Sequence, residues 1–221
     1  MHVGEHRKNS ACRACKGTRL TKFLDLGLFP AVNNMLTKEA LAQSEPHYPL
    51  EVYFCQDCAL VQLVHIVPPE ILFSHYVYLT ATSSTMVAHL KEMTKDVHER
   101  FLSRGGLAVD IGSNDGTLLK GYPKGVELLG IEPAQNVAKM ANEGGVRTVA
   151  EFFNESTAKT AAKKFGKADV ITATNVFAHI DDWDSVIRGV DAMLKDDGIF
   201  VIEAPYLVDF IKGNEFDTVY H

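Results

Sequence analysis

The sequence predicts an α/β protein: a doubly wound parallel sheet with a small metal-held module ahead of it. Three observations carry the prediction. From Leu107 onward, short apolar runs alternate with amphipathic stretches, the pattern of repeated strand–helix units. The first run, Leu107-Ala108-Val109-Asp110-Ile111, breaks into the polar stretch Gly112-Ser113-Asn114-Asp115-Gly116-Thr117. A buried parallel strand reads this way where its carboxyl end meets a ligand. Finally, all four cysteines fall in two pairs, Cys12-x-x-Cys15 and Cys55-x-x-Cys58.

At 221 residues the chain can hold one large domain or two small ones. Apolar residues make up 46%, enough for an ordinary soluble core. Lys and Arg number 22 against 28 Asp and Glu, a formal net charge of −6. That balance argues against nucleic acid as a partner, which would need a basic footprint. Residues 1–8 lack an apolar signal core, and no apolar run is long enough to span a bilayer. No membrane association and a cytoplasmic location are therefore expected. The sequence sets no oligomeric state.

Residues 1–66 read as a zinc-ribbon-like module. Paired cysteines can also form disulfides, but with no export signal one four-thiolate zinc site on Cys12, Cys15, Cys55 and Cys58 is the better reading. Each pair sits on a tight knuckle that aims two thiolates at one metal. No fifth cysteine competes, so the site is expected to be closed and structural. A structural zinc can supply ~10–16 kcal/mol of folding free energy, which allows a thin core. Within the module, Phe29-Pro30, Asn33-Asn34, Pro46 and Pro49 mark loops, whereas Leu50–Phe54 and Ala59–Val64 read as strands into and out of the second knuckle.

Pro68-Pro69 marks a boundary, and residues 67–103 read as a linker. It carries Tyr76-Val77-Tyr78, a Ser/Thr cluster at 82–85, and a helix on which Met86, Val87, Leu90, Met93, Val97 and Phe101 recur at helical spacing. The helix should stop at Arg104-Gly105-Gly106. Residues 104–221 then read as one domain, with strands over 107–112, 126–132, 146–151, 168–175 and 198–204. Helices are expected over about 115–121, 134–143, 155–165 and 182–195. Crossovers should place helices on both faces of the sheet. With only five strands before the sequence stops, the sheet is expected to be incomplete at its C-terminal end.

The strand ends name a cofactor. Gly112 ends the first strand where a side chain would collide with a bound ligand; Asn114 and Asp115 follow in the turn, with Asp110 towards the same end. Glu132 ends the second strand, where an acid can accept both hydroxyls of a ribose, and Pro133 can press on adenine. This is the pattern of an S-adenosylmethionine (SAM) site. The turn lacks the Gly-x-Gly-x-x-Gly spacing of a dinucleotide site. At the third strand's end, Phe153 either stacks on adenine or belongs to the core. The fourth strand ends in Asn175, with His179 beyond it at the carboxyl edge, where a near-neutral imidazole suits proton transfer.

Taken together, the cysteine-pair module, Tyr-x-Tyr before a Ser/Thr cluster, Asp-Ile-Gly-Ser-Asn-Asp-Gly-Thr-Leu-Leu, Gly-Ile-Glu-Pro, Asn-Val-Phe-Ala-His-Ile-Asp-Asp and the terminal Tyr-His resemble the zinc-containing, SAM-dependent sugar C-methyltransferases. The resemblance covers the whole chain. It implies a Rossmann-like SAM-dependent methyltransferase sheet and an enzyme that methylates a carbon of a nucleotide-linked keto-deoxysugar. On this basis Cys12, Cys15, Cys55 and Cys58 hold zinc, and Gly112, Asn114 and Glu132 hold SAM. One or both of Tyr76 and Tyr78 cover the sugar, with His179 beside it. Tyr220 and His221 match the start of a Tyr-His-Glu-His pattern whose second His is the family's catalytic base. That His and a large C-terminal domain lie past residue 221, so the chain is expected to be a truncated member. Within it, His179, Tyr76, Tyr78, Tyr220 and His221 are the candidates for proton handling. Two other readings stay open: a zinc-module RNA methyltransferase, and an inactive fragment that binds SAM and zinc.

Overall fold

The computed structural model describes residues 2–215 and 219, so Tyr220 and His221 lie outside the described residues. Strands β1 (His2–Val3), β2 (Arg7–Lys8), β3 (Leu20–Pro30), β4 (Pro46–Cys55), β5 (Val61–Leu63) and β6 (His65–Ile66) come first, followed by helices α1 (Pro69–Phe73) and α2 (Ser84–Val97). Then follow β7 (Gly106–Ile111), β8 (Val126–Ile131), α3 (Gln135–Glu143), β9 (Thr148–Val149), α4 (Glu155–Phe165), β10 (Ala168–Thr174), α5 (Trp183–Met193), β11 (Leu194–Glu203) and α6 (Leu207–Gly213). The chain divides into two compact units, Met1–Val77 with Pro205–His221, and Tyr78–Ala204.

The first unit is built on β4. It pairs antiparallel with β3 on one side and with β5 on the other, and parallel with β1. The sequence placed loops at Phe29-Pro30 and around Pro46 and Pro49; the structure has these residues inside the long β3–β4 hairpin. Pro30 and Pro46 are terminal strand residues, and Pro49 lies beside the register shift between Asp25 and Leu28. At such positions a missing N–H costs little in ladder hydrogen bonds. The core here is thin: no residue of β3 is buried, and β4 buries only Tyr48, Val52 and Cys55.

The second unit is a five-stranded, all-parallel sheet in the order β11-β10-β7-β8-β9. Chain order reverses between β7 and β10, the switch point where open α/β sheets hold ligands. Alternate residues of the strands feed two cores. Leu107, Val109 and Ile111 meet Ala158 and Ala161 of α4 and Val186, Val190 and Met193 of α5 on one face. Ala108 and Val170 meet Leu90 and Val97 of α2, with Leu118, Leu119 and Tyr122, on the other. Asp110 alternates with Val109 and Ile111, so it shares the α2 face with Ala108.

Helix α2, placed in a linker by the sequence, thus packs on this sheet. It ends in a π turn at His98–Leu102 that buries Leu102 and leaves Phe101 exposed, one position off the expected spacing. The helix expected over 115–121 is absent. Asn114 and Gly116 have positive φ values of 50° and 76°, which a right-handed helix cannot use, and only a 3₁₀ turn at Leu119–Gly121 forms.

Candidate functional site

The metal centre is built from two matching knuckles. In the first, Cys12 N–H donates to Gly17 O and Lys16 N–H to Cys12 O; in the second, Cys55 N–H donates to Leu60 O and Ala59 N–H to Cys55 O. Lys16 and Ala59 both take positive φ, 61° and 64°, to close the turns. This explains why the strand leaving the second knuckle starts at Val61 and not at Ala59. The four sulfurs lie within 4.8 Å of one another, with Cys12–Cys58 at 3.7 Å and Cys15–Cys55 at 3.6 Å. A tetrahedron of sulfurs at zinc's bond length has edges of about 3.8 Å. The donor set fits zinc electrostatically too. Burial resists ionisation of Cys12, yet the backbone N–H groups of Cys15 and Ala14 and the Gln62 amide bring its thiol down to about 6. Gly17 N–H favours the Cys15 thiolate, but burial and the three neighbouring thiols push it up to about 12. A dication removes that conflict.

The second site lies at the carboxyl edge of the parallel sheet, where β7 and β8 end side by side. Asp110 is 2% exposed, and its Oδ1 accepts from Thr172 Oγ1 at 2.6 Å. Burial raises its carboxyl to about 7; the Thr172 hydroxyl pulls the other way, and Glu132 adds to the rise. Glu132 is also buried. Its Oε2 accepts from Asn114 N–H at 2.9 Å and its Oε1 from Ala134 N–H at 2.8 Å. Burial pushes the Glu132 carboxyl up against the pull of these two donors. Each oxygen keeps a second acceptor position, so the carboxylate can still take the two hydroxyls of a ribose. Pro133, half-buried, follows directly.

Gly112 is fixed by its backbone and by a neighbour. Its φ is +65°, and a Cβ there would fall 2.5 Å from Val176 Cγ2. The sequence attributed this glycine to the bound ligand; the structure supplies a collision within the chain itself. Gly112→Ala is expected to destabilise the second unit by about 1–3 kcal/mol and to push Val176 and its turn outward. A melting temperature equal to that of the native chain would refute this.

Asn114 and Asp115 face the segment before α2. Asn114 Oδ1 accepts from Thr80 N–H at 2.9 Å and its Nδ2 donates to Tyr78 O at 3.0 Å. Asp115 Oδ2 accepts from Ala81 N–H at 2.9 Å, while its Oδ1 accepts from Thr117 N–H and Oγ1. Both side chains therefore clasp Tyr78–Ala81 onto the turn after β7.

The other predicted residues divide. Asn175 follows β10 with φ 55°, and its N–H donates to Glu203 O at 2.8 Å. His179 closes the 3₁₀ turn Phe177–His179 at the same edge, with its N–H on Val176 O. Phe153 is a core residue, 8% exposed, packed with Ala158 and against Gly189 of α5. Tyr78 is 41% exposed in the second unit. Tyr76 belongs to the first, where its hydroxyl accepts from Asn33 Nδ2 at 3.1 Å and its ring lies 6.0 Å from that of Phe73. The sequence reading missed Glu203. Its signal was available, because Glu203 closes the apolar run of β11 as Glu132 follows that of β8.

Two family models match the chain. Residues 12–73 match a family described as "Putative zinc binding domain", and residues 86–220 match a family described as a methyltransferase domain. The C-methyltransferase NovU of Streptomyces niveus is 35% identical over 212 residues, which cover 95% of this chain and 50% of that protein. The chain thus spans half the length of this relative. Among solved structures, the plantazolicin methyltransferase BpumL is 15% identical at a TM-score of 0.49, with 61% of this chain and 53% of that one covered. The PH0226 protein of Pyrococcus horikoshii OT3 is 14% identical at 0.47, with 62% and 66% covered. With a four-thiolate module ahead of a parallel sheet whose carboxyl edge gathers Asp110, Gly112 and Glu132, and with 86–220 matched throughout, this chain belongs to the methyltransferase family.

Proposed function

We propose that this chain is the zinc- and SAM-binding part of a C-methyltransferase that acts next to the ketone of a nucleotide-linked keto-deoxysugar. The observation that supports it most is the pairing of the Gly112–Asp115 turn with Glu132 on the adjacent strand, in a chain 35% identical to a C-methyltransferase. SAM supplies an electrophilic methyl group; the chain has to position it and handle a proton. Glu132 takes the ribose hydroxyls, and the turn after β7 takes the methionine end. A ketone acidifies the neighbouring C–H, so removal of that proton and stabilisation of the enolate oxygen prepare the carbon for attack in line with the methyl. Within the second unit, His179 is the proposed donor of a hydrogen bond to that oxygen, with Tyr78 against the acceptor and Asn175 on the cofactor side. Tyr76, Tyr220 and His221 are candidates for proton handling on the family resemblance alone.

The zinc module is structural in this reading, because its four sulfurs use all four tetrahedral positions. The cysteines are free of disulfides, which suits a reducing cytoplasm. No helix among the described residues is long and apolar enough to cross a membrane. Calorimetry with S-adenosylhomocysteine (SAH) tests the first step, and the absence of binding would sink the proposal. Incubation with SAM and a nucleotide-linked keto-deoxysugar tests the second. The expected product carries its new methyl on carbon by NMR; a methyl on oxygen or nitrogen contradicts the assignment.

A further inference from the structure

One residue at the carboxyl edge joins three elements, and the proposed chemistry gives it no task. Glu203 is the last residue of β11, and both its carboxylate oxygens are used. Oε1 accepts from Asn175 Nδ2 at 3.2 Å, and Oε2 pairs with His89 Nε2. Its backbone carbonyl also accepts from Asn175 N–H at 2.8 Å. One residue thus ties together the end of β11, the turn after β10 and the first half of α2.

Each partner bears on the cofactor turn. Asn175 holds a left-handed backbone at φ 55°, a conformation uncommon outside glycine that asparagine tolerates better than most residues. Two atoms of Glu203, its carbonyl oxygen and Oε1, fasten it there. The next residue, Val176, is the one that rests on Gly112, the end of the strand that carries the cofactor turn. On the other side, His89 lies on the helix whose lead-in, Tyr78–Ala81, is clasped by Asn114 and Asp115 of that same turn. The turn after β7 is therefore held from two directions, and both holds lead back to Glu203.

We propose that Glu203 is a positioning residue of the cofactor site: through Asn175 and His89 it fixes the turn after β10 and helix α2 against the turn after β7. It touches neither cofactor nor acceptor and acts by setting where Val176 and the Tyr78–Ala81 segment stand. Its side chain is 29% exposed and that of His89 50%, so the pair adds little to fold stability, as exposed ion pairs do. Its effect should show in ligand affinity instead. This rests on the reading of the edge as a SAM site.

The test is SAH binding by calorimetry at one temperature, with the ligand-free melting temperature measured alongside, for the native chain, Glu203→Ala and Glu203→Gln. Glutamine keeps an oxygen for Asn175 Nδ2 and an N–H for the other tautomer of His89. Glu203→Ala is expected to weaken SAH binding by about tenfold or more, as loss of charge-assisted hydrogen bonds does. Glu203→Gln should restore affinity to within about threefold of native. The inference is overturned if Glu203→Ala binds SAH like the native chain, if glutamine restores nothing, or if alanine lowers the melting temperature with affinity unchanged. A native chain that fails to bind SAH overturns the cofactor reading itself, and the inference with it.

Discussion

Removing zinc, or replacing Cys55 with Ser, is expected to unfold the first unit while the second melts as before. The thin core is the reason. Apart from the cysteines themselves, the buried apolar residues of this unit among the described residues are Tyr48, Val52, Leu63 and Val64, and strand β3 buries nothing. A hairpin with so little buried surface is marginal in water. The metal therefore has to carry the ordering, and a four-thiolate zinc site contributes on the order of 10–16 kcal/mol. Cys55 is the most consequential of the four to replace. It is fully buried, ends β4 and begins the second knuckle, so its loss breaks the metal site and the strand end together. Hydrogen exchange after chelation should lose protection over Leu20–Pro30 and Pro46–Cys55 and keep it over Gly106–Ile111 and Ala168–Thr174, because both apolar clusters that cover the parallel sheet lie wholly within the second unit. SAH affinity should stay within a few-fold. Unchanged protection in the hairpin after verified metal loss would show that apolar contacts alone hold it.

Much of this architecture is legible in the sequence, and the gaps have physical causes. Strands β7, β8 and β10 are buried on both faces, so they read as continuous apolar runs, and the amphipathic α3, α4 and α5 lie within a residue or two of their expected places, α5 ending two residues early. Cysteine spacing alone places the metal site, because a knuckle is a local structure. Where a residue's task depends on a distant neighbour, sequence is blind. Periodicity finds α2 but cannot say that it covers the sheet. Pro46 and Pro49 look like loop residues until the pairing places Pro46 at the first position of its strand and Pro49 beside a register shift, where a missing N–H costs little. Gly112 is required, but by Val176, some sixty positions away, as well as by its own φ. Phe153 could stack on a ligand or fill a core, and only the packing of α4 against α5 decides for the core. Glu203 was overlooked although it repeats the Glu132 pattern, because its meaning lies in Asn175 and His89.

Asp110→Asn is expected to stabilise the second unit at neutral and alkaline pH and to weaken cofactor binding. Asp110 is buried on the α2 side of the sheet. It has the Thr172 hydroxyl as a donor, Glu132 as a nearby acid, and Tyr122 beside it, whose own hydroxyl is pushed up by burial and by the Asp110 charge. No lysine or arginine pairs with it among the described residues. Its carboxyl therefore rises from 3.8 to about 7, first through burial and then through Glu132, with Thr172 opposing. A raised acid holds its proton more tightly in the folded chain than in the unfolded one. The stability it permits is thus complete below its unfolded value and is lost as pH rises through the folded value. Between about pH 5.5 and about pH 8.5 that loss amounts to about 2 kcal/mol, and the full penalty at the alkaline end is on the order of 4 kcal/mol. Asparagine has the size of the acid, still accepts from Thr172 and never ionises. Trp183, the chain's one tryptophan, lies in α5 and reports urea unfolding of this unit apart from the zinc module. The variant's advantage should widen as pH rises; a gap that ignores pH, or a less stable variant, would refute the account. If the same variant also binds SAH more weakly, the penalty has its explanation: a carboxylate that the fold would be better without is kept at the strand end for the ligand, the usual conflict between stability and a working site.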